Sequence, residues 1–321
     1  MQNPARTTTL NIVKNAKDVF IDHEAVVSAA KAWASKKIII PVWDNKYHLV
    51  TDNDKQMMNY LFILDTLNFC FWNDRGERWY FSHRGKKTGG YFGMALALKN
   101  FFEKYPNKSN FEYLAKISFK EFADLIFQGG ENLLFLKERF KALRGVALVM
   151  VRKYEGDARQ FVKAAKGSFE NLVKKIVKEL PSYQDISIYC GKKIYFLKRA
   201  QILPLDIYAA FFGKDLGKFS DLEYPTAFAD YKVPQIFRHY GILRYSDKLE
   251  NKIQNRVLIK KGSREELEIR AATIWAVEYL REELEKLGKK LYSFQIDWIL
   301  WNESQGKGMI LPYHLTKTIF Y

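Results

Sequence analysis

A mainly α-helical chain with small β-hairpin additions is what the residue order implies, and three observations carry this. Apolar residues recur at helical spacing over most of the 321 residues. Two short stretches alternate instead, each about a glycine-bearing turn. No repeat, low-complexity linker or composition break divides the chain. Residues 1–321 therefore read as one compact domain, with residues 1–15 expected to be loosely ordered. Hydrophobic residues make up 48%, enough to build a core of that size.

Taken in order, the periodicity predicts helices over residues 25–35, 56–72, 91–104, 131–153, 169–179 and 263–287. Between the second and third, GERWYFSHRGKKTG alternates and ends in glycine, as a hairpin does. After the fifth, DISIYCGKKIYFLKR places two β-branched and aromatic runs about Cys-Gly-Lys-Lys. Pro234 marks a further helix start, because proline suits the first helical position. The last helix has the clearest signature. Ser263 and Glu266 make a Ser-x-x-Glu capping box. Ile269, Val277, Leu280, Leu284 and Leu287 then form one apolar stripe, with Leu267, Ala271 and Ile274 nearly opposite. Apolar faces on both sides imply burial of its first half. Glu268, Trp275 and Tyr279 share a third stripe, so Glu268 is either salt-bridged or held for a ligand.

Composition excludes several classes. No apolar run reaches the length of a membrane span, and MQNPARTTTLNIVKN lacks the charged-then-apolar order of a signal peptide. Two cysteines, Cys70 and Cys190, form neither a disulfide framework nor a metal cluster, so a reducing, cytoplasmic setting is expected. The net charge of +16 favours anionic ligands, although lysines in VKAAKGSFENLVKKIVKEL also fit a solvated helix face. There is no Gly-x-Gly-x-x-Gly, no complete phosphate loop in HRGKKTGG and no Gly-x-Ser-x-Gly elbow. The five histidines lack metal-ligand spacing. Chemistry should then run on carboxylates, lysine and binding energy, without metal.

Four segments embed polar residues among apolar and aromatic ones. In DTLNFCFW, helical spacing puts Asp65, Asn68, Phe69 and Trp72 on one stripe. Two readings fit: a core helix with hydrogen-bonded polar groups, or a pocket wall whose rings stack a flat ligand while the acid and amide read its edge. FLKRAQILPLD places Lys198 and Arg199 after an apolar strand. TAFADYKVPQIFRHYGIL places Asp230 and Tyr231 before a helix, where a carboxylate ionises cheaply. FQIDWILW sets Asp297 between aromatics.

These segments carry a resemblance. DTLNFCFW, PSYQDISIYCGKKIYFLKRAQI, FADYKVPQIFRHYGILRYS, GSREELEIRAATIWAVEYLR and PYHLTKTIFY resemble the queuosine salvage proteins, the queuosine 5′-phosphate N-glycosylases (hydrolases), from Asn15 to Tyr321. The resemblance implies hydrolysis of queuosine 5′-monophosphate to queuine, a 7-deazaguanine, for salvage into tRNA modification. It also implies a compact helical fold similar to helix-hairpin-helix DNA glycosylases and no cofactor. A small-molecule substrate, no membrane, no stable nucleic-acid partner and a monomer are expected with it. The alternative is a nucleic-acid glycosylase or binding protein of similar fold, which the charge suggests. One departure stands out: the family's Pro-x-His-Arg-x-Arg becomes PYHLTK, with Leu315 and Lys317 at the arginine positions.

Roles follow from the resemblance. Asp230 is the candidate catalytic carboxylate, because breaking an N-glycosidic bond builds positive charge on the sugar. Lys198 is its basic partner. A 7-deazaguanine has no N7 lone pair to protonate, so its other polar edges must be addressed. Asp65 and Asn68 are expected to read the base, and Phe69 and Trp72 to stack on it. Glu268 and Asp297 are candidates for its ammonium and diol. Arg199, Arg238 and His239, with His314 behind them, are candidates for the phosphate. Trp275 is a candidate to close the pocket, and Tyr231 follows the catalytic acid.

Overall fold

The computed structural model describes residues 3–128, 133–306 and 311–321. The chain begins with α1 (Pro4–Lys14), β1 (Val19–Ile21), α2 (His23–Ala34) and α3 (Asp54–Leu67). A hairpin, β2 (Tyr80–His83) and β3 (Lys86–Gly89), leads into α4 (Gly90–Lys104). There follow α5 (Phe111–Leu114), α6 (Phe119–Phe127), α7 (Leu136–Tyr154), α8 (Ala158–Lys163) and α9 (Phe169–Glu179). The second hairpin, β4 (Ile186–Tyr189) and β5 (Lys192–Tyr195), precedes α10 (Lys198–Ala210). The chain closes through α11 (Val233–His239), β6 (Leu243–Tyr245), α12 (Asp247–Gln254), α13 (Arg264–Lys286) and α14 (Ser293–Glu303). The mainly α expectation with small β additions agrees with this architecture.

Local chemistry explains most boundaries. Asp22, Asn53, Ser118 and Ser168 cap α2, α3, α6 and α9 by accepting backbone amides. Both hairpins turn on two residues of positive φ, Arg84-Gly85 and Cys190-Gly191, the geometry that matches strand twist. The expected start of α7 at residue 131 lies outside the described residues. Three expectations need correction. The N-terminal residues are not loose from Pro4 onward: Asn3 caps α1, whose Ala5, Thr9 and Ile12 are buried, and the helix packs on α13. The capping box at Ser263 is half made. Ser263 accepts the Glu266 amide, but the Glu266 carboxylate takes the Gly262 amide at 2.9 Å and the Tyr321 hydroxyl at 2.9 Å. Leu287 lies past the end of α13 and is exposed.

The third helix also ends earlier than its periodicity suggests. It stops at Leu67, with Asn68 as C-cap. Two buried arginines collect the carbonyls that a helix end leaves without partners. Arg199 donates to Asp65 O at 3.1 Å and Thr66 O at 2.7 Å, and also to Ser182 O. Arg139 donates to the carbonyls of Leu67, Phe69 and Cys70, and its guanidinium lies 4.1 Å from the Phe69 ring centroid. Cations are favoured at this end of a helix dipole. The chain then turns through Cys70 at φ 45°, so Phe69 and Trp72 leave the helical stripe.

Apolar packing falls into two large clusters. One gathers α3, α4, α7, α9 and α10; the other gathers α1, α2, α11, α13 and α14. The pair β1–β6, antiparallel with Val19 opposite Tyr245, joins distant parts of the second cluster. Arg270 of α13 ties the clusters together. Its guanidinium donates to Asp185 at 2.6 and 3.0 Å and to Ala229 O at 3.0 Å, and lies against the rings of Phe196 and Tyr321. Burial works against its charge, but the Asp185 carboxylate outweighs that and holds Arg270 above the ordinary guanidinium value. Removing one partner of a buried pair strands the other. Arg270→Met is therefore expected to lower unfolding free energy by about 3–5 kcal/mol, measured by urea denaturation. A loss under about 1 kcal/mol would mean the pair is not the tie described.

Candidate functional site

A cleft of about 190 Å³ opens where the two clusters meet. Its polar floor comes from three helices and one loop. Lys198 and Asp206 lie two turns apart on α10, Asp297 is on α14, and Asp230 precedes α11. Asn68, the C-cap of α3, completes it. Aromatic walls come from Tyr91 and Trp301 on one flank and Tyr231, Tyr313 and Tyr321 on another. The long segment between α2 and α3 covers one end with Val42, Trp43 and His48. His48 is held neutral by burial, which pulls its pKa down to about 4, and its Nε2 lies 3.0 Å from the Tyr91 hydroxyl.

The floor is a cluster of acids about one lysine. Burial raises the pKa of Asp230; Lys198 opposes this first, and the amides of Val233 and Lys232 add to it. Both amides donate to Asp230 Oδ1, at 2.9 and 2.7 Å. Burial lowers Lys198, and Asp230 is the foremost charge resisting that. Asp297 accepts the Phe228 amide at 2.9 Å. Burial and then the Asp230 charge push it well above the carboxylate range. Both acids are thus raised, Asp297 the further, because the Asp230 charge adds to its burial while Lys198 and two amides work against that of Asp230. Asp65 is fully buried next to this floor but does not line the cleft. Burial takes it to about 7 against the hydrogen bond from Asn68 and the charges of Lys198 and Arg199.

The rim carries cations, with Asp44 of the covering segment among them. Arg78 and Lys232 line it, and among the described residues neither is in an ion pair. Lys232 is pulled down to about 8, chiefly by burial, with Asp230 opposing and Arg78 adding to the fall. Its Nζ donates to Gln235 at 2.8 Å and lies 5.3 Å from the Tyr313 ring centroid. The cleft therefore runs from acids gathered about one lysine to a rim that holds two cations and Asp44.

Of the residues singled out from sequence, Asn68, Lys198, Asp230, Tyr231 and Asp297 meet in the cleft. The others do not line it. Phe69 and Trp72 are buried with Cys70 and Leu315 in a small cluster of their own, because the chain has left the helix before them. Arg199 is spent on backbone carbonyls, and Arg238 on Glu250 and the Pro312 carbonyl. His239 ends α11 with its ring against Tyr240, on an exposed surface. Glu268 accepts the Lys17 and Asp18 amides at 3.0 and 2.7 Å and faces Arg264, which makes it a fastener for the N-terminal segment. Trp275 donates to Thr9 at 3.1 Å and lines a separate surface hollow with Arg6 and Arg281. His314 is buried at 3.4 Å from the Tyr321 hydroxyl, and burial with Arg270 and Arg238 lowers it to about 3. Lys317, at a family arginine position, pairs with Asp74 at 2.6 Å.

Sequence reasoning missed Asp206, Arg78, Lys232 and the covering segment. Asp206 and Lys232 were visible only as a proline-flanked acid and one lysine among many; helical spacing from Lys198 was the signal for the first.

A mainly α chain whose buried cleft offers acids, one lysine, aromatic walls and a cationic rim defines a binder of small aromatic anions with carboxylate chemistry at its floor. The family model described as "Queuosine salvage protein" matches residues 47–321. The chain is 42% identical over 316 residues to the queuosine 5′-phosphate N-glycosylase/hydrolase of Sphaerobacter thermophilus, covering 98% of this chain and 97% of that protein. The proteins of the same name from Dictyostelium discoideum and Bos taurus are 33% and 30% identical, over 98% and 97% of this chain and 98% and 96% of theirs. The chain belongs to the queuosine salvage protein family.

The buried acids have a stability consequence. A carboxyl whose folded pKa is raised binds protons that the unfolded chain has already released above about pH 4. Asp65, Asp206, Asp230 and Asp297 all shift this way. Stability should therefore fall as pH rises from 4 towards and through the folded value, which for Asp65 is about 7. Asp65→Asn is expected to raise the thermal midpoint at pH 8 and to flatten that slope, measured by calorimetry across pH. A steeper slope in the variant would contradict the burial of an ionising Asp65.

Proposed function

We propose that this chain is an N-glycosidic hydrolase that releases queuine from queuosine 5′-phosphate, supplying the free base for tRNA modification. The observation that carries the reading is the polarity of the cleft in a chain of this family. The acids Asp206, Asp230 and Asp297 gather about Lys198 at its floor, and Arg78 and Lys232 line its rim, while queuosine 5′-phosphate carries an ammonium on its base and a phosphate on its sugar. Asp230 is the carboxylate that faces C1′. Its Oδ1 is held by two amides while Lys198 favours its charge. A fixed anion there stabilises the positive sugar as the bond breaks and orients the attacking water. Asn68 addresses the polar edge of the base, with Asp65 accepting its amide at 3.3 Å. Tyr91, Trp301, Tyr231 and Tyr313 supply the stacking that Phe69 and Trp72 were expected to give. The phosphate belongs with Arg78 and Lys232, in place of Arg199, Arg238 and His239.

The same reading includes one domain working as a monomer, in the cytoplasm, with a helical core similar to helix-hairpin-helix glycosylases. What supports this is a low cysteine count, a cleft built from both apolar clusters, and a lysine and an aspartate that line it together. Among the described residues no helix is long and apolar enough to cross a membrane.

The direct test is incubation with queuosine 5′-phosphate, queuosine, guanosine 5′-phosphate and queuosine-bearing tRNA, followed by mass spectrometry for free base. Queuine should appear from the nucleotide, and Asp230→Asn should cut that rate by about 10²–10³-fold while binding is kept. An unchanged rate in the variant would remove Asp230 from the mechanism. Lys232→Gln should raise KM for the nucleotide about tenfold or more, the value of a charged hydrogen bond, with little effect on the nucleoside. Equal losses on both substrates would place the phosphate elsewhere.

A further inference from the structure

Asp206 is a buried acid on the cleft wall that the steps above leave without a task. It stands two turns from Lys198 on α10, about 12 Å along a helix axis, and lines the cleft with Ile202 and Ala209 of the same helix. Asp65, on the packed helix α3, is fully buried and does not reach the cleft. Asp65 Oδ2 and Asp206 Oδ2 are both buried, and among the described residues neither has a hydrogen-bond partner. Each carboxyl lacks an ion pair within the same set.

The groups facing this pair do not neutralise it. Arg199 beside it is occupied by backbone carbonyls, and the charge that acts most on Lys198 is that of Asp230. The phenols of Tyr60, Tyr91 and Tyr183 face the same acids and are held neutral, their pKa values raised by burial. His48, beyond Tyr91, is neutral as well. Burial and the neighbouring Asp65 charge both oppose ionisation of Asp206. Two carboxyls in one such site cannot both ionise.

Resting on the hydrolase reading, we propose that Asp206 is a further catalytic residue, a carboxylic acid backed by Asp65 that donates its proton to the departing base. As the bond between C1′ and the glycosidic nitrogen breaks, its electron pair stays on the base. A 7-deazapurine cannot be protonated at N7 beforehand, so an acid has to meet the polar edge where charge accumulates. Asp206 gives that edge its proton and becomes a carboxylate. Water adds to C1′ and loses a proton to Asp230. The products are neutral queuine and ribose 5-phosphate, and the proton returns from Asp230 to Asp206 through solvent after they leave. Asp65 is a positioning residue: its charge keeps the proton on Asp206. Asp297 is less suited, since it accepts the Phe228 amide and lies against Asp230 at the sugar end.

The test is kcat at saturating queuosine 5′-phosphate across roughly pH 5 to 9, for wild type, Asp206→Asn, Asp65→Asn and Asp297→Asn, with thermal melting to check folding. Wild-type kcat should fall on the alkaline side. Asp206→Asn should lower kcat about 10²-fold or more, leave KM nearly unchanged and flatten the alkaline limb. Asp65→Asn should keep the limb but move it to lower pH, because burial alone then opposes ionisation of Asp206. A purely structural role for Asp65 would lower activity without moving it. Lys232 also titrates in this region, through phosphate binding, so its effect falls on KM. The proposal is wrong, and the hydrolase reading stands, if Asp206→Asn keeps the wild-type kcat and limb or changes KM alone. The same holds if Asp297→Asn is the variant that removes the limb. A wild type that releases no base overturns both. If Asp206→Asn does not fold, the limb of Asp65→Asn decides, and an unmoved limb overturns the proposal.

Discussion

The Arg270–Asp185 pair is the constraint on which the cleft depends. Asp185 accepts two hydrogen bonds from the guanidinium and a third from the Lys198 amide at 3.1 Å, which fixes the first residue of α10. Arg270 also holds the Ala229 carbonyl, one residue before Asp230. The backbone at Lys198 and next to Asp230 is therefore held by one buried ion pair. Its desolvation is costly, and an apolar replacement of both partners could be as stable. What such a replacement would lose is the fixed placement of Lys198 relative to Asp230. Its strength lies in location more than in net stabilisation.

The same economy appears in the other buried arginines. Among the described residues Arg139 and Arg199 form no ion pair and donate chiefly to carbonyls at the end of α3, with Arg199 Nε left buried and without a partner. Burial lowers Arg139 to about 9 and lowers Arg199 as well. Their charge is used to end a helix early and bring Asn68 to the cleft. Leaving the acids of the floor without arginine partners has the opposite effect. Asp206 and Asp297 form no ion pair among the described residues and rise in pKa, a state that costs stability.

Much of the architecture was legible in the residue order. Residues 91–104, 169–179 and 263–287 were read close to their actual ends because periodicity, caps and breakers agreed there. The hairpins were legible from alternation. The helix α10 was not. It opens on Leu197 at positive φ and contains Pro204, so FLKRAQILPLD looks like the tail of a strand. That misreading hid Asp206, which only helical spacing relates to Lys198. The pair β1–β6 was hidden for another reason: its partners are short and distant in sequence, so no local pattern marks them. Arginine roles failed most often. Sequence proximity to an acid says nothing about which carbonyls a guanidinium will reach.

The aromatic stretch DTLNFCFW shows how a distant segment can decide the fate of a local motif. Phe69 and Trp72 have the size and flatness of a stacking platform, yet they are core. Leu315 is buried against them, and its carbonyl accepts the Ile259 amide at 2.8 Å. The Cys70 amide donates to Tyr321 O at 2.9 Å, which lays the closing segment over the end of α3. An arginine at 315 would have to carry its charge into this apolar cluster or turn away from it. With leucine there, the segment seals Phe69 and Trp72 from the cleft and delivers Tyr313 and Tyr321 to its wall instead. Part of the aromatic wall is thus made by the segment that buries the motif, not by the motif itself.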